Sequence, residues 1–367
     1  MVKKTKIRRK RLVVPKLYGL SKNHKPLISI VIPTFNEEED LVACLRSIMK
    51  QTIAANIEVI IVDDDSTDAT RSIAMYAGLF GGLHIKIVRN GTHDAEVGKR
   101  IGLDHAEGKY FQYCDADMEF RDAHYFEAAI KPLEDWSRDY FINGKTFIVG
   151  TIAAMGCNPK HNALTRCISQ DVFQRDPIFE FFTPSIKESI ITKLRYFKEN
   201  GYHVCWLTIE PNNIPAQSLI LYRTDILKQI SKEEHQLMDN DIPIKMVKHG
   251  YHMFAFNPNI RIYHKLLQNL SELWNKRMRG VMKTYMPNPS KREFKWFNLS
   301  TIWNKMFLGL YVINANLLFF QTCNAIADTI HKRDLACMYR PLIDLVSTDA
   351  LVWGFLKSKG WRSLKHL

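Results

Sequence analysis

The fold is decided by residues 27–64, which read LISIVIPTFNEEEDLVACLRSIMKQTIAANIEVIIVDD. The stretch contains two continuous apolar, β-branched runs, Leu27–Ile32 and Ile57–Val62. Such runs are typical of strands that are buried on both faces of a parallel sheet. Between them, Glu37–Lys50 is predicted to be a helix, because its early acidic residues suit a helix N-terminus and Asn36 can cap it.

The same alternation continues along the chain. We predict a helix from about Ala69 to Ala77, a strand over 84–88, a helix over 95–107 and a strand over Tyr110–Cys114. Three β-α units followed by a fourth strand predict a doubly wound α/β fold. Ligands of such sheets bind beyond the carboxyl ends of the strands.

The pattern beyond residue 120 is less regular. Residues 266–367 are predicted to be mainly helical, and the intervening segment to add strands and helices to the first half. The predicted strands are Phe147–Ala153, Ser218–Tyr222, Met253–Phe256 and Ile260–Tyr263, and the predicted helices are Ile226–His235 and Ile242–His249.

The composition excludes several classes of protein. Hydrophobic residues make up 46% and charged residues 24%, which are ordinary values for a globular protein. The seven cysteines include no CxxC pair, so neither a zinc site nor a disulfide framework is predicted, and a reducing compartment is expected. The N-terminus is charged and has no apolar core, so we expect no secretory signal and a cytoplasmic location.

The net charge of +13 is distributed unevenly. Residues 1–25 carry ten Lys/Arg and no acidic residue, and residues 265–367 carry sixteen Lys/Arg against six Asp/Glu. The residues between these flanks have a balance of −7. Basic flanks around a mildly acidic body are typical of a protein that lies against a polyanion, either a membrane surface or a nucleic acid.

Two groups of acidic residues follow predicted strands. Asp115 and Asp117 follow Tyr110–Cys114, and residues i and i+2 of an extended segment face the same way. Two such carboxylates can hold Mg²⁺ or Mn²⁺, although a solvated turn is the alternative. Residues 63–68 (DDDSTD) follow Ile57–Val62. Their four acidic side chains predict a ligand that donates a hydrogen bond to them, such as the imide N–H of a nucleobase. The alternative is that they cap a helix.

These motifs, in this order and spacing, resemble the nucleotide-sugar half of the family 2 glycosyltransferases, which have the GT-A fold. The resemblance covers residues 27 to about 265. It implies a Rossmann-like mixed sheet flanked by helices and an inverting transfer of sugar from a nucleotide diphosphate donor, in particular a UDP-sugar, with Mg²⁺ or Mn²⁺. The matching segments are ISIVIPTFNEEEDLVACLRSI, EVIIVDDDSTDAT and GKRIGLDHAEGKYFQYCDADMEF.

The resemblance and the charge pattern together divide the chain. We expect a basic flexible tail at 1–25 and a GT-A catalytic domain at 26–265, followed by a basic, amphipathic helical region at 266–367. Within the catalytic domain, the nucleotide-sugar half is expected at 26–120 and the acceptor half at 121–265.

For the donor, the resemblance implies roles residue by residue. Pro33, Phe35 and Glu37 match the first loop, which lies against the nucleoside. Asp64 matches the acid that reads the uracil imide, with Asp63 as the neighbouring candidate. In the loop that these acids occupy, Asp65 replaces the usual Gly.

The resemblance also assigns the residues around the diphosphate. Lys99 and Arg100 match a basic pair, of which Arg100 would face the base or pyrophosphate, although Ile101 replaces the usual Asn that follows. Asp115 would face ribose and metal, and Asp117 would bind the metal. A further candidate for binding the leaving diphosphate is the basic group formed by Lys276, Arg277 and Arg279.

For the acceptor, the segment from Met238 to His264 resembles the family's acceptor segment. Asp239 matches the catalytic base, but Met238 replaces the usual Glu before it, so Asp241 stays a rival. His264 matches a His that joins the metal in some members. No clear QxxRW motif is present, so synthesis of a long polymer is not expected.

Two other functions remain as alternatives. A sugar-phosphate nucleotidyltransferase shares the architecture, but needs a Gly-rich basic loop where residues 33–38 are acidic and lack Gly. A non-enzymatic nucleic-acid-binding protein would carry its basic charge across the body, which is acidic here, so no nucleic acid partner is expected.

The C-terminal region contains the most apolar segment, Met306–Phe320. Polar residues interrupt it and the next turns, and it is shorter than the roughly 20 residues that span a bilayer. We therefore predict an amphipathic or re-entrant interfacial segment rather than a span over 306–327. With the basic flanks, this predicts peripheral contact with an anionic membrane on its cytosolic face, and a glycan or lipid-linked acceptor.

Overall fold

The computed structural model describes residues 25–137, 147–169, 195–197, 201–209, 214, 220–285, 293 and 302–359. The predicted basic tail lies, except for Lys25, outside the described residues. Ser218, the predicted start of one strand, and residues 360–367 also lie outside them.

Strands and helices alternate through the first half of the chain. The strands are β1 (Ile28–Thr34), β2 (Ile57–Asp63), β3 (His84–Arg89), β4 (Tyr110–Tyr113), β5 (Met118–Phe120), β6 (Gly150–Gly156), β7 (Arg195–Phe197), β8 (Tyr202–Trp206), β9 (Ile220–Arg223) and β10 (Met253–His264). The helices are α1 (Leu41–Met49), α2 (Thr70–Phe80), α3 (Ala95–His105), α4 (Tyr125–Asp135), α5 (Ala163–Ser169), α6 (Thr224–Ile230), α7 (Asp241–Lys248), α8 (Leu270–Arg279), α9 (Ile302–Leu317), α10 (Phe319–Lys332) and α11 (Arg340–Lys359).

The strands form one mixed sheet in the order β3-β2-β1-β4-β9-β6-β10-β8-β7, with β5 paired to β10. The first four strands in this order are parallel, whereas β9 runs antiparallel to both of its neighbours. Strand β10 is parallel to β6 and antiparallel to β5 and β8. The predicted fold class is confirmed: a mixed α/β sheet flanked by helices, with a mainly helical C-terminal region.

Both faces of the sheet are covered, which explains the continuous apolar runs. Ile28, Ile30 and Ile32 of β1 belong to a buried cluster that includes the apolar side of α1. Val31 points to the other face and belongs to a second cluster, with Leu103 of α3. Because neighbouring residues of a strand face opposite sides, a strand covered on both sides is apolar at every position.

The predicted cap of the first helix is wrong. Helix α1 begins at Leu41 rather than Glu37. Asn36 has a left-handed φ of 55°, and its side-chain oxygen accepts a hydrogen bond from the backbone N–H of Thr67 at 2.9 Å. Asn36 therefore joins the loop after β1 to the acidic loop after β2.

The two short strands predicted between Met253 and Tyr263 are a single strand, β10. Its register with β6 shifts between Asn257 and Arg261. A bulge of this kind bends a strand without ending it.

Helix α3 packs closely on β1 at Gly102, where an added Cβ would lie 2.3 Å from Val31 Cγ1. We expect Gly102→Ala to lower the free energy of unfolding by about 1–3 kcal/mol, because overpacking outweighs the gain in helix propensity. Gly78→Ala on α2 is the matched control, since its Cβ would meet nothing nearer than 3.4 Å. The control should be neutral or stabilising, and equal losses in urea unfolding would contradict the prediction.

The C-terminal helices fold against one another and against α5. Val281, Tyr311 and Leu351 form a small buried cluster that joins α9 to α11. Over the described residues, each helix taken alone is too short or too polar to cross a membrane. Helix α9 from Lys305 onward and α10 meet at 66° and have the combined length and composition of a broken span or a re-entrant loop.

Candidate active site

The pairing of β5 with β10 brings together the three predicted metal ligands. His264 lies opposite Met118 in this antiparallel pair, and the N–H of Lys265 donates to the carbonyl oxygen of Asp117 at 3.0 Å. As a result, His264 Nε2 lies 3.0 Å from Asp117 Oδ1. Ligand atoms of Asp115, Asp117 and His264 lie within 4.8 Å of one another, and all three residues are half-buried.

The chemistry of these side chains fits a hard divalent cation. Two carboxylates and an imidazole are ligands that Mg²⁺ and Mn²⁺ accept. Burial raises the pKa of Asp117, but His264 and Lys276 outweigh burial and hold that pKa below its ordinary value. Burial lowers the pKa of His264, but Asp117 and Asp115 outweigh it and the net pKa is raised. Asp117 is therefore ionised and offers a full negative charge.

Glu37 shows that negative charge is in excess around this cluster. Burial, followed by the charges of Asp117, Asp40 and Asp115, raises the pKa of Glu37 to about 7, although Lys276 lowers it. A carboxyl that resists ionisation beside other carboxylates indicates a place where a cation would be stabilised.

The raised pKa of Glu37 predicts a pH-dependent effect on stability in the metal-free protein. The folded state binds more protons than the unfolded state between the ordinary value of 4.5 and about 7, so stability falls as pH rises through this window. In EDTA, Glu37→Gln should therefore raise the free energy of unfolding at pH 8 by about 1 kcal/mol after solvent screening, and leave it nearly unchanged at pH 5.

The control for this experiment is Glu39→Gln, which removes an exposed carboxylate two residues away. It should have the same small effect at both pH values. An equal effect of Glu37→Gln at pH 5 and pH 8 would contradict the assignment.

The neighbouring carboxylates Asp63 and Asp64, in the acidic loop after β2, have different contacts. Asp63 accepts hydrogen bonds from Arg71 Nε at 2.5 Å and from the Ser66 N–H at 3.1 Å, which hold the loop. Asp64 is also buried, but its Oδ1 accepts no hydrogen bond from any residue that the structure describes. Asp64 is thus the carboxylate of this pair that is available to a ligand.

The residue that departs from the resemblance in this loop, Asp65, has a φ of 60°. Glycine adopts this left-handed region without strain, and Asp is among the side chains that tolerate it. Its carboxylate pairs with Arg89, at 2.7 Å from Nε and 2.6 Å from Nη2. The substitution therefore preserves the loop and adds an ion pair on its exposed side.

An aromatic pair lies beside Asp64. The ring of Phe35, which is exposed, meets the ring of His93 edge-on with centroids 6.0 Å apart. His93 Nδ1 lies 3.5 Å from Asp64 Oδ2. Pro33, also expected at the nucleoside, is half-buried in β1 and pairs with Val62. His93 lies in the loop before α3, where no sequence pattern singled it out.

Asp239 is held at the site by a buried lysine. Lys99 of α3 pairs with the Asp239 carboxylate, and its Nζ also lies 3.1 Å from Glu96 Oε1. The Lys99 side chain is 3% exposed, whereas that of Asp239 remains 26% exposed. Burial raises the pKa of Asp115 and Lys99 opposes it, while Asp117 and Asp239 raise it further, so the cluster is electrostatically one unit.

Arg100 does not join this cluster. Its Nε donates to the carbonyl oxygen of Glu234 at 2.9 Å and its Nη1 pairs with Asp104. Successive residues of a helix are about 100° apart, so Lys99 and Arg100 face different directions. The structure thus brings Lys99 to the acid cluster, while the role of Arg100 at the base or pyrophosphate stays a prediction.

Part of the chain is similar to proteins of a known family. Residues 29–184 match the model of glycosyl transferase family 2. The chain is similar to YibD, an uncharacterized glycosyltransferase of Escherichia coli K12, with 33% identity over 108 residues, which are 29% of this chain and 31% of YibD. It is also similar to Escherichia coli WfgD, a UDP-Glc:alpha-D-GlcNAc-diphosphoundecaprenol beta-1,3-glucosyltransferase, with 35% identity over 92 residues, or 25% of this chain and 35% of WfgD.

The chain spans about a third of the length of these two curated relatives. Among solved structures, it is similar to TarS 1-349 of S. aureus, with 14% identity and a TM-score of 0.45, over 91% of this chain and 93% of that one.

The mixed sheet, its strand-end carboxylates and the matched model are similar to those of a glycosyltransferase domain. The match of residues 29–184 to the glycosyl transferase family 2 model confirms the resemblance seen in the sequence.

Proposed function

We propose that the protein transfers a sugar from a nucleotide diphosphate donor, a UDP-sugar, to an acceptor hydroxyl in glycan synthesis, with inversion at the anomeric carbon. The observation that carries the proposal is the cluster of Asp115, Asp117 and His264, together with Asp239, whose charge raises the pKa of Asp115. A cation-binding group next to an accessible carboxylate suits a displacement that leaves a diphosphate.

The loops after β1 and β2 would bind the nucleoside. Asp64 Oδ1 is buried and accepts no hydrogen bond from the described residues, so it can accept the imide N–H of uracil. Phe35 and His93 offer rings against which a base can stack. The relative WfgD is named for a UDP-glucose donor, which agrees with this choice of base.

Asp115, Asp117 and His264 would hold Mg²⁺ or Mn²⁺. That cation would neutralise the charge that develops on the leaving diphosphate. Lys276 adds a positive charge from α8, because it lowers the pKa of both Glu37 and Asp117. It is therefore the member of the basic group on α8 that we place nearest the diphosphate.

Asp239 would accept the proton of the acceptor hydroxyl as that oxygen attacks the anomeric carbon. Its carboxylate is partly exposed and lies just before α7, whereas its rival Asp241 is buried as the first residue of that helix. The ion pair with Lys99 orients the Asp239 carboxylate. A single base and attack from the face opposite the diphosphate give inversion.

A screen of nucleotide sugars tests the proposal. The protein, with Mg²⁺ or Mn²⁺, should release UDP from at least one UDP-sugar, and release should stop in excess EDTA. A sugar-phosphate nucleotidyltransferase would instead release pyrophosphate from UTP and a sugar 1-phosphate. Pyrophosphate release without UDP release would reject glycosyl transfer in favour of that alternative.

A further inference from the structure

Helix α9 is apolar on two opposite sides. Its inner side is buried: Tyr311 and Ala315 pack toward α11, and the Tyr311 hydroxyl accepts a hydrogen bond from Thr348 Oγ1 at 2.8 Å. Its outer side carries large apolar residues, each at least 49% exposed: Ile302, Trp303, Met306, Phe307, Leu310, Ile313 and Leu317.

These outward residues form one continuous face. At about 100° per residue, all seven fall within an arc of about 140°, and Tyr311 and Ala315 lie outside it. The outward face of a helix on the surface of a water-soluble protein is normally polar. A face of this size and composition marks a contact with another apolar phase.

Helix α10 follows α9 after a sharp bend and also carries apolar residues on its exposed side. Leu318, between the two helices, has a left-handed φ of 57°, and the helix axes differ by 66°. The charged residue Asp328 is turned toward the protein, where it pairs with Arg340 of α11. Most exposed residues of α10 are again apolar or small, namely Phe319, Phe320, Cys323, Ile326, Ala327 and Ile330, and they share one side of the helix, while the exposed polar residues Asn324 and His331 lie at its edge.

The charge of the C-terminal region and the length of α9 identify a lipid bilayer as the phase that this apolar face contacts. Residues 265–367 carry ten more basic than acidic residues, which complements anionic head groups. The 16 residues of α9 are about 24 Å long, shorter than the roughly 30 Å of the hydrocarbon core, so α9 alone would lie in the interface. Together α9 and α10 have the composition of a re-entrant segment.

We propose that the outward faces of α9 and α10 insert into the surface of a bilayer that contains anionic lipids. The apolar side chains enter the acyl region, while Lys305, Lys332 and Arg333 contact head groups. This contact places the catalytic site beside the membrane, where a lipid-linked acceptor would be found. It does not depend on the proposed sugar transfer, because membrane binding is measured without donor or acceptor.

Vesicle flotation of the full chain tests the proposal. The wild type should float with vesicles of phosphatidylcholine containing about one third phosphatidylglycerol, and bind more weakly at high salt or to phosphatidylcholine alone. The double variant Phe307→Glu, Phe319→Glu should lower the partition coefficient by about a hundredfold, since each change removes an exposed ring that would enter the bilayer and adds a charge.

The matched control is the double variant Tyr76→Glu, Phe80→Glu. These two aromatic residues are as exposed as the first pair but lie on α2 in the first half of the chain. The control should float like the wild type. Because all four side chains are exposed, both variants should keep the circular dichroism spectrum and the donor hydrolysis of the wild type.

A label on Cys323, which is exposed on the outward face of α10, gives a second measurement. An environment-sensitive fluorophore there should shift to the blue with anionic vesicles, and Cys323→Ser should remove the signal. No flotation of the wild type, or equal flotation of the α9–α10 variant, would overturn the proposal. If the wild type does not float but forms a dimer, and this variant is a monomer, the apolar face binds a second copy of the chain instead.

Discussion

The Asp117→Asn variant should lose donor hydrolysis and sugar transfer by about a thousandfold or more while retaining its fold. Asn keeps the size of the side chain and removes the charge that His264 and Lys276 stabilise in Asp117. A loss of several kcal/mol in stabilisation of the leaving group corresponds to three or more orders of magnitude in rate. Excess EDTA should have the same effect on the wild type.

Calorimetric titration with Mn²⁺ separates loss of the ion from loss of the fold. The variant should bind Mn²⁺ weakly or not at all, and should unfold at a temperature close to that of the wild type. Asp122→Asn, the same change at an exposed carboxylate five residues away, is the control and should keep both Mn²⁺ binding and turnover. Full activity of Asp117→Asn, or of the wild type in EDTA, would reject the metal site.

The positions of the DxD carboxylates could be predicted because they depend on local rules. Asp115 and Asp117 follow a buried strand, and the period of an extended segment places them on one side. The continuous apolar runs of β1 and β2 likewise predict strands covered on both faces. The antiparallel insertion of β9, and the β5 to β10 pairing that delivers His264, join segments far apart in sequence, for which no local pattern exists.

The sequence contains a signal for which of Lys99 and Arg100 faces the acid cluster. Lys99 precedes the buried Leu103 by four residues, and residues four apart share a helix face. Arg100 precedes Asp104, which pairs with it on the exposed side. The resemblance assigned a role to Arg100 alone, at the base or pyrophosphate, and gave Lys99 no role of its own. His93 offered no such signal, because its position follows from the path of a loop.

The C-terminal helices show a different limit. The sequence identifies Met306–Phe320 as apolar, but α9 is apolar on both its inner and its outer side. Periodicity cannot say which side packs on the protein when neither is polar. The structure resolves this, because Thr348 on α11 fixes Tyr311 to the inside and so turns Phe307 and Leu310 outward.

The Asp239→Asn variant should lower kcat by about 10²–10⁴-fold, the usual loss of a general base. Asn keeps the shape of the side chain but cannot accept the proton of the acceptor hydroxyl. UDP and Mn²⁺ binding should survive, because Asp239 is not among the three ligand groups that lie within 4.8 Å of one another. Single-turnover measurements at saturating donor would locate the loss in the chemical step.

The fold should also survive this change, because Lys99 keeps a second partner in Glu96 at 3.1 Å. Burial, opposed by Lys99, raises the pKa of Glu96 to about 8, with Asp239 raising it further. Removing the charge of Asp239 should therefore let Glu96 ionise more readily and neutralise Lys99, which offsets the lost ion pair.

Asp241→Asn is the decisive comparison, since both acids lie at the start of α7. Asp241 is only 4% exposed, so its replacement should affect the stability of the helix end more than turnover. If Asp241→Asn abolishes turnover in a folded protein and Asp239→Asn is mild, the base is Asp241. In that case the ion pair between Lys99 and Asp239 serves to hold α3 against the segment before α7.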